Sequence, residues 1–97
     1  MADPNARRLL WYLFAGSKGC YNRIKIIDLL KERPYNVNQL AEALGLDYKA
    51  IQHHIMVLQK NNLVSKIGQK YGVLYFISNY LEDNIESFIE IRSKIQK

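Results

Sequence analysis

The stretch Asn36 to Asn62, NVNQLAEALGLDYKAIQHHIMVLQKNN, limits what this chain can fold into more than any other part of it. Val37, Leu40, Ala41 and Leu44 recur at helical spacing, Gly45 breaks the pattern, and Ile51, Ile55 and Leu58 resume it after Asp47. Two helices joined by a glycine turn are the signature of a helix-turn-helix. The second helix would present Tyr48, Lys49, Gln52, His53, Met56 and Gln59 outward. Such side chains suit a DNA major groove.

The flanking segments supply further elements. Asp3 and Pro4 read as an N-cap and a first-turn proline, opening a helix that runs to about Ala15 and stops at Gly16. After the turn Gly16 to Gly19, a second helix follows Asn22. It carries Ile24, Ile27 and Leu30 on one face, with Arg23, Lys25, Lys31 and Arg33 elsewhere, and it ends before Pro34. Asn36 caps the third helix, with Gln39 completing a capping box; Asp47 caps the fourth, and Asn62 is suited to a left-handed C-terminal position.

Beyond Asn62 the pattern changes from helix to strand. Leu63 to Gly68 and Val73 to Ser78 are rich in Val, Ile, Tyr and Phe around the segment Gly68 to Gly72, which predicts a β-hairpin. Asn79 then caps a final helix with acids early and bases late, complementing the helix dipole. The expected class is mainly α with a small β-hairpin: a winged helix-turn-helix with additional N- and C-terminal helices. One domain is expected over 1–97, with the helix-turn-helix at 36–62, the wing at 63–78 and terminal dimerisation helices at 4–15 and 80–96.

Ninety-seven residues give a core with little stability to spare, and a partner subunit would help. The apolar fraction of 48% is too high for a disordered chain. The net charge of +5 favours polyanions as partners. Counting Lys and Arg against Asp and Glu, residues 63 to 78 carry +2 and residues 79 to 97 carry −1, so the last helix is the least suited to face phosphate. Cys20 stands alone, which excludes an intramolecular disulfide and fits a reducing cytoplasm. The longest apolar run, Leu9 to Ala15, is far short of a membrane span, and no leader pattern is evident.

This order of elements resembles the winged helix-turn-helix regulators of archaea and bacteria, in particular the ArsR-type group. The resemblance covers roughly residues 21 to 78 and rests on RIKIIDLL at 23–30, VNQLAEAL at 37–44, HIMVL at 54–58 and the Asn62-Leu63-Val64 exit into the wing, where the group usually has Gly-Leu-Val. It implies DNA-binding transcriptional regulation, usually as a homodimer. Metal-sensing members of that group carry paired cysteines in the region matching the third helix, where this chain has Asn38, Gln39 and Glu42.

The expected DNA-binding residues are Asn38, Gln39, Tyr48, Lys49, Gln52, His53, Met56, Lys66, Lys70 and Tyr71, with wing lysines on phosphate and Gln52 and His53 on base edges. His53 and His54 diverge by about 100° on a helix, so no metal is expected from them. His54 falls near Ile51 and Leu58 and reads as a satisfied, half-buried imidazole. Leu9, Leu10, Trp11, Leu13 and Phe14 occupy too many faces for one stripe and are expected at a dimer interface, together with Leu81, Ile85, Phe88 and Ile95. No phosphate loop, catalytic triad or paired-carboxylate motif appears, so neither an enzyme nor a cofactor is expected. The expected partners are double-stranded DNA and a second copy, with no membrane. The alternative is a winged-helix module whose recognition face packs on protein; RNA binding is weakened by the lack of an aromatic platform.

Overall fold

A computed structural model describes residues 3–95. Six helices and one hairpin follow in the order α1 (Pro4–Phe14), α2 (Cys20–Leu30), α3 (Val37–Leu44), α4 (Tyr48–Lys60), β1 (Val64–Gln69), β2 (Tyr71–Ile77), α5 (Asn79–Asp83) and α6 (Ile85–Ile95). The expected extension of the last helix to 96 lies outside the described residues.

The helix starts follow their caps. Asp3 accepts from the Asn5 amide, and Asp47 accepts from Ala50 N at 2.7 Å. Asn36 accepts from Gln39 N at 2.7 Å while Gln39 Oε1 accepts from Asn36 N at 2.9 Å, a complete capping box. Asn62 takes the left-handed conformation at φ 62, as expected.

Four expectations are corrected. Helix α2 begins at Cys20, because Gly19 at φ 85 turns the chain directly into it. The hairpin is tighter than a five-residue loop: the strands run to Gln69 and from Tyr71, and Lys70 at φ 51 makes the bend. A bulge at Gly68 supplies the extra turn, and a Cβ there would lie 2.8 Å from the Gly72 carbonyl oxygen. The final helix is capped by Ser78, whose Oγ accepts from Leu81 N at 3.0 Å, and it is broken at Asn84. Asn84 Nδ2 donates to Tyr80 O, while its Oδ1 accepts from Asp3 N, so the break ties the start of α1 to the C-terminal helices.

The core gathers Leu10, Leu13 and Phe14 of α1 with Ile24, Ile26, Ile27 and Leu30 of α2, Leu40 of α3, Ile51, Ile55 and Leu58 of α4, and Leu81, Phe88 and Ile91 of the C-terminal helices. Phe14 and Phe88 meet edge to face, with centroids 5.0 Å apart. This corrects the dimer expectation. Leu10, Leu13, Phe14, Leu81 and Phe88 are already buried within one protomer, since α1 packs on its own α6 and that contact consumes several faces of a short helix. Leu9, Trp11, Ile85 and Ile95 keep exposed surface. Arg92 of α6 donates from Nε to Asp28 of α2 at 2.9 Å. At the other end Arg7 grips Glu90 with both guanidinium amines and holds its carboxyl down to about 2. That pair is open to solvent and adds little stability.

Candidate nucleic-acid interface

Helix α4 owes its orientation to Ile51, Ile55 and Leu58, which are driven into the core and leave the opposite face outward. Tyr48, Lys49, Gln52, His53 and Met56 are all exposed, and Met56 retains 62% of its surface. A large apolar side chain that open to water is uncommon on a face with no partner.

The wing is not a free hairpin. Tyr35, in the link between α2 and α3, exchanges backbone hydrogen bonds with Tyr75 of β2 at 3.1 and 2.8 Å. Ser78 closes the base of the wing, donating from N to Leu63 O and from Oγ to Asn62 O. These bonds hold β2 against the start of α3 and create a cleft of about 440 Å³ between α3, α4 and the wing. Asn38, Tyr48, Gln52 and Lys70 line it, and no carboxylate does. Lys70, left-handed at the bend, lines the cleft from the wing side.

The sequence-predicted residues therefore divide. Asn38, Tyr48, Gln52 and Lys70 converge on the cleft. His53 and Met56 lie further along α4, on a shallow apolar trough with Val57, Gln59 and Lys60. Lys49 and Lys66 are exposed but line neither surface. Gln39 is exposed, yet its carbonyl oxygen accepts from Asn36 N in the α3 capping box, which holds the side chain at the helix start. The Tyr71 side chain lies outside what the structure describes.

His54 is buried, but it is not the satisfied imidazole expected: its Nδ1 has no hydrogen-bond partner among the described residues. The ring lies against Gly19, where a Cβ would come 2.8 Å from Cε1. Any side chain at residue 19 would push on α4, and φ there already demands glycine. Burial lowers the His54 pKa from its usual 6.5, and the positive charges of Arg23 and then His53 add to the effect. The unfolded imidazole takes up its proton first as pH falls, so this part of the stability is complete above the unfolded value and is lost as pH descends toward the folded one. The urea midpoint should drop as the pH falls below the usual imidazole value of 6.5, and at that pH the His54 Cε1 proton should report a ring more than half neutral. A ring half protonated at that pH would contradict the assignment.

Sequence reasoning placed Arg23 away from the apolar face of α2, yet it is buried. Its periodicity carried no such signal, because Ile26 on the following turn is buried too and α2 is enclosed on several sides.

Among the described residues no three His, Cys, Asp or Glu side chains come together to hold a metal ion. No described helix is long and apolar enough to cross a membrane.

Residues 20–66 match the bacterial regulatory protein, arsR family. No curated protein matches the sequence. Several solved structures share the fold. HlyU from Vibrio cholerae N16961 is 21% identical with a TM-score of 0.70, over 99% of this chain and 100% of that one. The transcriptional repressor BigR from Xylella fastidiosa is 15% identical with a TM-score of 0.72, over 96% and 89%. Rv0081 of M. tuberculosis is 22% identical with a TM-score of 0.71, over 97% and 91%. With its helix-turn-helix segment similar to that family and nearly its whole length superimposable on these folds, the chain has the winged helix-turn-helix fold.

Proposed function

We propose that the protein is a homodimeric, sequence-specific regulator that binds double-stranded DNA in the cytoplasm. The observation that carries this reading is the cleft that Lys70 of the wing lines together with Tyr48 and Gln52 of α4, with no carboxylate among its lining residues. A cation for phosphate then stands beside an amide able to read adenine. His53 and Met56 extend the same outward face, Met56 being suited to a thymine methyl group, and Lys49 and Lys66 add exposed positive charge.

The dimer would join α1 and α6 through what one protomer leaves exposed. Trp11 and Ile89 retain 46% and 43% of their surface, and Leu9, Ile85 and Ile95 are half-buried. Two copies of α4 would then present to successive major grooves about 34 Å apart. Sedimentation equilibrium at micromolar concentration should give twice the chain mass of 11.4 kDa. A clean monomer overturns the dimer.

Duplex binding should fall log-linearly with salt, because each neutralised phosphate releases counter-ions. The apolar trough of His53, Met56 and Val57 favours the second reading, a module that packs its recognition face on protein. No measurable affinity for any duplex at low salt would favour that reading.

A further inference from the structure

Arg23 of α2 is 7% exposed and has no counter-ion among the described residues. Its Nη1 donates to Leu13 O at 3.1 Å and to Ser17 Oγ at 2.7 Å, while Nε is buried without an acceptor. A guanidinium withdrawn from water is ordinarily paired, because desolvation of an unpaired charge is unfavourable. The last carbonyls of α1, at the negative end of the helix dipole, offset only part of a unit charge.

Beside Arg23 a cleft of about 350 Å³ opens between the end of α1, the turn into α2 and the last turns of α4, a size suited to a small molecule. Tyr12, Leu13 and Val57 give it an apolar side, Ser17, Arg23 and Lys60 a hydrogen-bonding and cationic one, and no carboxylate lines it. We propose that this cleft binds an organic anion, its carboxylate or phosphate seated among Arg23, Ser17 and Lys60 and its apolar body against Tyr12, Leu13 and Val57. A DNA phosphodiester could reach exposed Lys60, but a guanidinium this deeply set calls for a ligand that enters the cleft. Val57 and Lys60 stand on α4, so an occupied cleft would bias the placement of the recognition helix, and DNA would in turn change the affinity for the anion. That consequence rests on the DNA-binding reading; the binding of the anion does not.

The test titrates the ¹⁵N-labelled chain, without DNA and at fixed ionic strength in chloride, with benzoate, phenyl phosphate, acetate and inorganic phosphate. Saturable amide shifts are expected in Ser17 to Arg23 and Val57 to Asn61. The phenyl anions should bind about tenfold more tightly than their counterparts, because part of the ring is buried. Lys60→Gln, at an exposed position, should weaken binding roughly tenfold through loss of one charge-assisted contact, and Ser17→Ala should weaken it through loss of the hydroxyl that accepts from Arg23 and holds its guanidinium at the cleft. The proposal is overturned if none of the four anions gives saturable shifts or if the shifts lie elsewhere. It is equally overturned if benzoate binds no better than acetate, or if both variants bind as well as the parent. A failure of duplex binding with the anion shifts intact would refute the DNA reading and leave this one standing.

Discussion

Phe88→Ala is expected to lower the unfolding free energy by about 3–5 kcal/mol, measured as the shift of the urea midpoint at constant slope. Phe88 is fully buried and stands edge-on to Phe14 at 5.0 Å, so truncation removes both its transfer free energy and the aromatic contact. The surroundings cannot easily collapse to fill the space. Helix α1 is tied at its N-cap to Asn84 and packs along α6, which limits how far the two helices can close up. Domains of this size have total stabilities on the order of 5–15 kcal/mol, so the variant should be partly unfolded at modest denaturant. A loss under about 1 kcal/mol would mean that α6 is not integral to the core.

The second large effect separates base reading from phosphate holding. On an operator selected from a random duplex pool, Gln52→Ala should lose roughly 1–3 kcal/mol of binding and little on unrelated DNA, because the bidentate amide contact goes while the charge contacts remain. Lys70→Ala should weaken operator and unrelated duplex alike and lower the salt slope by about one unit. Both residues line one cleft, so the two variants probe the same surface by different physics. Unchanged discrimination in Gln52→Ala would show that α4 is not the reader and would turn the assignment toward a protein-binding face.

The extent to which the site was legible in the sequence follows from how local each signal is. The caps at Asn36 and Asp47, the left-handed Asn62 and the outward face of α4 are set by residues within one turn of each other, and the structure has them as expected. A cap concerns a side chain and a backbone amide three residues on, which spacing reveals. Asn79 misled as a cap because Ser78 precedes it with an equally good oxygen, and only the bond from Ser78 Oγ to Asn62 O, across the base of the wing, selects the serine.

Length, charge and the 36–62 pattern by themselves determined the class of fold, the helix that faces outward and the likeness to ArsR-type regulators, since apolar periodicity and capping act over a few residues. The tertiary structure alone decided the rest. It turned Leu10, Leu13, Phe14, Leu81 and Phe88 from interface candidates into one protomer's core, pinned the wing to Tyr35, and buried Arg23 beside His54 without a counter-ion. Each of these depends on which distant segment covers a given side chain. Burial and pairing across tens of residues are settled by packing geometry, and a single sequence carries no local mark of it.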